Sequence, residues 1–374
     1  MSKSLLYVIN DMDWFWSHRL PLAIGARDDG WGVHVCAIGA AADEGLKATG
    51  FKGIDLPKAG GGLGAIQLLK IIITLRSVIK SKKPDLIHAI TLKYAFITGL
   101  AALGTNTKIV HTLAGLGYLF CGEGAKPRIL RALIGPFLKL ALKGKSTQLI
   151  FQNPDDMQVM LKRGFADPNR SHLIKGSGVD CKEFTVSPEP ENNPPLIVMP
   201  TRLVHEKGIA VFIEAAKILK ERGIKARFEI AGGEALTNPR GIKANEMNAM
   251  ITASGNAVTW LGKVSDMPDL LRRANLIAYP SYYGEGIPKV LLEAAASGRA
   301  IITTDHAGCR EAVNDGQNGL LIPIKDASAC AAAIQSLLTD PTRRAEMGKA
   351  SRTRAETEFD VSIIVEKTLN VYSV

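Results

Sequence analysis

Two carboxylates and two cations stand out by their spacing. In "YPSYYGEGIPKVLLEAAASG", residues 279 to 298, Glu285 stands before Pro288 and Glu293 after it, with seven residues between the acids. The apolar run "NLIAYP" ahead of them reads as a buried strand. A helix is expected to open at Pro288, since proline is tolerated in a first turn whose N–H groups lack partners. The N–H groups of Gly286, Ile287 and Lys289 would then sit at the positive end of a helix dipole, a seat for phosphate. Carboxylates beside phosphate repel it unless they bind something else, such as sugar hydroxyls. The combination fits a nucleotide sugar; the plainer alternative is a pair of solvated helix charges.

Upstream, "PTRLVHEKGI" follows the apolar "LIVM" and leads into a helical pattern. Arg202 and Lys207, five apart across a turn, can converge on one diphosphate, arginine as a fork and lysine as a point charge. Glu206 can pair with either, which would make that cation structural. In the first half, His111 leaves the strand "KIVHT" towards its carboxyl end, and Gly115 and Gly117 let the loop behind it approach a ligand closely. After the first strand, "NDMDWFWSHRLPLA" places His18 and Arg19 where a helix opens. They can touch a phosphate or an acceptor, or His18 can cap while Arg19 is solvated. Trp14, Phe15 and Trp16 suit either a core or a greasy acceptor surface.

With its context "EGIPKVLLEA", the Glu285/Glu293 pair resembles the paired-glutamate motif of retaining glycosyltransferases of the GT-B fold, and among them family 4. The resemblance implies that Glu285 meets the donor sugar and Glu293 the ribose. It also implies that Arg202 and Lys207 hold the diphosphate, that Gly232 and Gly233 of "AGG" form a family strand end, and that His111 lies near the donor sugar. "TTDHAGCREAVNDGQNGLLIP" is similar to the family's last strand and loop, with Gly308 near the diphosphate and Glu311 ordering the loop, or else a purely structural turn. "HTLAGLGYLF" resembles bacterial members that extend sugars on an undecaprenyl diphosphate carrier. The implied reaction is retaining hexosyl transfer from a nucleotide sugar, a UDP-sugar, to a lipid-linked saccharide, without cofactor or metal. Rivals on the same fold are a sugar-nucleotide epimerase or a phosphorylase, the latter needing pyridoxal phosphate on a lysine. A non-catalytic nucleotide-binding protein is the rival from another class.

The elements that must position these groups alternate along the chain. Short apolar runs ("LLYVIN", "VHVCAIG", "DLIHAI", "KIVHTLA", "QLIFQN", then "LIVMPTRL", "ARFEIAGG", "AVTWLG", "NLIAYP", "AIITTD", "GLLIP") are each followed by a helical pattern. Near-continuous apolar strands alternating with helices mean parallel sheets covered on both faces. The expected class is α/β, two facing Rossmann-like doubly wound domains with the substrate in the cleft between them. The boundary is placed in "EFTVSPEPENNPP", giving domains at 1–185 and 194–359. By resemblance the last helix, 360–374, crosses back to the first domain.

Composition narrows the partners. The 374 residues suffice for two domains. No apolar stretch of about eighteen residues occurs, so no spanning helix is expected. "MSKSLLYVIN" runs straight into Asp11 and Asp13, a first strand rather than a signal peptide. The five cysteines, Cys36, Cys121, Cys181, Cys309 and Cys330, show no paired spacing, which points to a reducing compartment without structural zinc. "GGGLGA", residues 60 to 65, satisfies a dinucleotide fingerprint with Asp85 beyond it, but Gly53 and Pro57 break the strand that should precede it.

Residues 1–181 hold 23 Lys and Arg against 13 Asp and Glu, while 182–374 hold 23 of each, so the net charge of +10 belongs to the first half. That half calls for an acidic partner, and no aromatic-basic interleaving of an RNA module is visible, which argues against nucleic acid. Acids are absent from Leu56 to Pro84 and from Gly124 to Pro154. In the second stretch, at 100° per residue, Arg128, Arg131, Lys139 and Lys143 gather opposite Leu130, Leu133, Ile134, Phe137 and Leu140. Such a helix can lie on an anionic inner-membrane surface, or cover a sheet. Gly135 and Pro136 are expected to break it. The implied location is cytoplasmic, peripheral on the cytoplasmic face of the inner membrane.

Overall fold

The apolar runs become strands because, buried on both faces, each pays little for a continuous hydrophobic sequence. The computed structural model describes residues 3–58, 64–122, 124–144, 146–236, 238 and 240–374. The first sheet contains β1 (Ser4–Asp11), β2 (Gly32–Ile38), β3 (Lys52–Asp55), β4 (Leu86–Ile90), β5 (Lys108–Leu113), β6 (Thr147–Phe151) and β7 (Ser171–Leu173). They lie in the order β3-β2-β1-β4-β5-β6-β7, all parallel. The second contains β8 (Leu196–Pro200), β9 (Arg227–Ala231), β10 (Thr259–Trp260), β11 (Leu276–Tyr279), β12 (Ala300–Thr304) and β13 (Gly319–Ile322). Their order is β10-β9-β8-β11-β12-β13, again all parallel. Among the described residues no helix is long and apolar enough to cross a membrane.

The chain divides into two units, one of Met1–Ser177, Gly284–Gly286 and Val361–Val374, the other of Gly178–Tyr283 and Ile287–Asp360. The division falls before the Pro-rich stretch at 183–195 rather than within it. That stretch is packed on the second unit: Arg344 pairs with Glu189 at 2.5 Å, and Asn275 donates to Glu189 and to the Pro190 carbonyl. Its prolines reflect an irregular but anchored path.

In the first unit the two pleat faces of β1 feed two cores. Leu5, Tyr7 and Ile9 pack with the helix Leu20–Asp28 and the closing helix Val361–Ser373, while Leu6 and Val8 pack beneath the helices Ala65–Lys82 and Leu92–Ala101. A buried chain of hydrogen bonds ties the closing helix down, from Tyr7 to the Tyr372 hydroxyl (3.1 Å), to His88 Nδ1 (2.6 Å), and from His88 Nε2 to Thr112 (2.7 Å).

Two edge strands escaped the sequence pattern. β3 and β7 are short and only partly buried, so they lack the apolar signature of the central strands. Gly53, expected to break the segment, sits inside β3 because the Ala40 carbonyl occupies the place of its side chain. The helix Ala125–Leu142 runs unbroken through Gly135 and Pro136. Pro136 and Ala132 are exposed, so the carbonyl that loses its partner lies on the solvent side. The glycine run at 60–63 lies outside the described residues.

Gly53→Ala should destabilise the protein by about 2 kcal/mol or more, as overpacking against backbone does. A chemical-denaturation midpoint equal to that of the wild type would show that the strand can shift to admit a methyl group.

Candidate active site

In the second sheet the chain order reverses between β8 and β11, the point where doubly wound sheets bind ligands at their carboxyl ends. The loop after β8 carries Arg202 and Lys207. Arg202 is exposed, whereas Lys207 is only 5% exposed. Its ammonium donates to the Tyr279 phenol at 2.7 Å and lies 5.4 Å and 5.0 Å from the ring centres of Tyr279 and Tyr283. The two loops are stitched together by Tyr282 N donating to the Glu206 carbonyl at 2.8 Å. Glu206 forms an ion pair with Arg240, a partner the sequence did not suggest.

The helix after β11 is Lys289–Ala296, with Pro288 as its extended cap (φ −60°, ψ 123°) rather than its first residue. The orphan donors of the first turn therefore begin at Lys289, and Gly286 and Ile287 lie ahead of it. Lys289 pairs with Glu293 at 2.7 Å, one helical turn on, and Glu293 is 6% exposed. Neither reading of Glu293 as a freely solvated charge nor of Gly286 as a first-turn donor holds. Gly232 and Gly233 act through their backbone: a side chain at Gly232 would overlap the Thr201 carbonyl, and the Gly233 carbonyl accepts from Leu203 N at 3.0 Å. They press the end of β9 against the residues on either side of Arg202.

In the first sheet the order reverses between β1 and β4. Asp11 caps the helix Met12–His18 by accepting from Trp14 N at 2.9 Å, and His18 stacks on Trp14 with ring centres 4.6 Å apart. Phe15 is core, while Trp14 and Trp16 are half-buried. Arg19 is not solvated: it is 3% exposed beneath the Trp14 ring, and burial pushes its guanidinium down to about 10. Thr91, at the end of β4, holds φ +78°, a strained value for a β-branched residue and one without a sequence signal.

His111 requires a correction. It lies inside β5, on the pleat face of Ile109 and Leu113, and is fully buried two residues short of the strand's end. Burial pushes its imidazole down to about 3, only partly opposed by the Ala141 backbone. It is a neutral core histidine.

The loop beyond β5 does reach the predicted glutamate. The segment Gly284–Gly286 belongs to the first unit, and Gly115 (φ +92°) stands so close that a side chain there would lie 2.5 Å from Glu285 Cα. On the other side the Gln152 carboxamide fills the space of a Gly286 side chain. Gln152, 4% exposed at the end of β6, was missed by the sequence reading. Its neighbours carried a signal, since Asn153 and Asp156 have the spacing of a helix N-cap box.

Comparison with known proteins agrees with this architecture. Residues 182–354 match the family described as glycosyl transferases group 1, and residues 4–153 match the family described as glycosyl transferase 4-like. The chain is 30% identical over 340 residues to the Campylobacter jejuni N,N'-diacetylbacillosaminyl-diphospho-undecaprenol alpha-1,3-N-acetylgalactosaminyltransferase, covering 87% of each chain. It is 25% identical over 330 residues to the Escherichia coli UDP-Gal:alpha-D-GlcNAc-diphosphoundecaprenol alpha-1,3-galactosyltransferase, covering 85% of this chain and 82% of that one. A sucrose-phosphate synthase structure from Thermosynechococcus elongatus superposes with a TM-score of 0.83 over 99% of this chain and 98% of that one, at 19% identity. Two parallel Rossmann-like sheets, a lysine seated where the second sheet reverses, and these matches together make the chain a member of the group 1, 4-like glycosyltransferases of the GT-B fold.

Proposed function

We propose that this protein transfers a sugar, with retention of configuration, from a UDP-sugar to a hydroxyl of a polyprenyl-diphosphate-linked saccharide in bacterial surface glycan synthesis. The observation that carries this reading is the buried ammonium of Lys207 at the reversal of the second sheet. The names of the Campylobacter and Escherichia relatives, both acting on diphospho-undecaprenol-linked sugars, support the acceptor class, and the second supports a UDP donor.

Breaking the anomeric bond leaves new negative charge on the diphosphate. Arg202, Lys207 and the first turn at Lys289 stabilise that charge more in the transition state than in the bound donor, which is what accelerates the step. Glu293, kept in place by Lys289, receives the ribose hydroxyls, and Glu285 receives those of the donor sugar. The leaving phosphate takes the acceptor's proton as the hydroxyl enters on the same face, so no protein base and no metal are assigned. His18 remains a contact for an acceptor phosphate; His111, a neutral histidine inside the first sheet, and Arg19, held under the Trp14 ring, are given no part in the step.

The acceptor's lipid would bring the protein to an anionic membrane surface on the cytoplasmic side. The helix Ala125–Leu142 buries Leu138, Ala141 and Leu142, yet exposes Leu133 (67%) and Phe137 (57%) beside the exposed Arg128, Lys139 and Lys143. Ile66, Leu69 and Ile73 are likewise exposed on Ala65–Lys82. Apolar side chains flanked by cations suit the headgroup boundary. Arg131 is not part of this face, because it donates to the Leu119 carbonyl at 2.7 Å.

Lys207→Met and Glu285→Ala should each lower turnover about 10²- to 10³-fold with melting temperatures near that of the wild type. Nucleoside diphosphate released in the presence of nucleotide sugar and polyprenyl-diphosphate saccharide measures it, and normal rates in both variants would remove the site assignment. Replacing Arg128, Lys139 and Lys143 with Glu, or Leu133 and Phe137 with Ser, should weaken binding to anionic vesicles at least about tenfold. Unchanged co-sedimentation would remove the membrane contact.

A further inference from the structure

We infer that Gln152, together with Asn153, Asp156 and Gly115, forms a clamp that fixes the backbone of Glu285, which makes Gln152 a positioning residue for the donor-sugar contact. The inference rests on the proposed role of Glu285 and adds residues to it that no family motif in the sequence supplied.

The clamp has one base and two jaws. Its base is the start of the helix Pro154–Lys162, where Asn153 Oδ1 accepts from Asp156 N at 2.8 Å and Asn153 Nδ2 donates to Asp156 Oδ2 at 2.9 Å. Asn153 is fully buried and Asp156 nearly so. The first jaw is the loop after β5, where the Leu116 backbone, next to Gly115, lies close enough to the Asp156 carboxyl to oppose part of the rise in its pKa. Gly115, at φ +92°, then lies flat against the backbone of Gly284 and Glu285, with 2.7 Å between the position of an added Cβ and the Glu285 carbonyl carbon. The second jaw is Gln152, the residue before Asn153, whose carboxamide fills the space beside Gly286.

Burial pushes the Asp156 carboxyl up to about 6, and Asp155 adds to this. Keeping a buried carboxylate costs stability, and the hydrogen bond from Asn153 Nδ2 offsets part of that cost. A segment with glycine on both sides of its glutamate, Gly284 and Gly286, has little stiffness of its own. Its position must come from its neighbours, and the two jaws are among them.

The test separates positioning from general loosening. Calorimetric affinities for UDP and for whichever nucleotide sugar the wild type turns over fastest are measured in Gln152→Ala, Gln152→Asn and Gly115→Ala, beside Glu285→Ala. The clamp predicts that UDP affinity stays within about twofold, that the extra affinity contributed by the sugar is lost, and that turnover falls up to about 10²-fold, as for a misplacement of about 1 Å. The milder Gln152→Asn keeps an amide but shortens the jaw, so it reads the same effect should the alanine variants fold poorly. Wild-type sugar affinity and turnover in the folded variants, or equal losses for UDP and nucleotide sugar, would overturn the clamp. If Glu285→Ala itself retained full turnover, the role of Glu285 would fail instead.

Discussion

A lysine ammonium sits almost entirely out of water in the second unit, and much of the local chain is arranged around that fact. Burying such a charge is unfavourable unless polar groups or anions replace its hydration. Here the Tyr279 phenol and the faces of two tyrosines take part of that role. Both come from the strand and loop that neighbour β8 across the reversal of the sheet, so topology and electrostatics meet at one place. The Lys207 ammonium is thereby held at the point where a doubly wound sheet binds its ligand.

The two glutamates of the motif have different supports. Glu293 is seated on a helix and paired with Lys289, so its position follows from regular secondary structure. Glu285 lies in an irregular segment that belongs to the first unit and is gripped by Gly115 and Gln152. A spacing of seven intervening residues thus links a helix-borne group to a loop-borne one. The helix fixes one end cheaply, and tertiary packing must fix the other.

Central strands were legible because burial on both faces writes a continuous apolar run, as in "LIVMP" and "LIHAI". β3 and β7 were not, since edge strands carry polar residues and Gly53 answers to the Ala40 carbonyl rather than to strand propensity. Arg202, Lys207 and the glutamates were singled out by residue type and spacing, and the structure places Lys207 and Glu293 in buried, polar-partnered positions. The burial of His111 and Arg19 was not legible, because a histidine near a strand end and an arginine at a helix start look alike in sequence whichever way they point. Pro136 misled for a related reason: whether proline breaks a helix depends on which side its missing hydrogen bond faces. Gln152 had no signature of its own, since its role comes from glycines far away in the chain.

The most direct measurement is a crystal structure of the protein with UDP. The account predicts a β-phosphate oxygen within about 3 Å of Lys207 Nζ, with the first turn at Lys289 facing the diphosphate and the ribose hydroxyls on Glu293. A nucleotide bound elsewhere, with its phosphates far from the Lys207 ammonium, would contradict it.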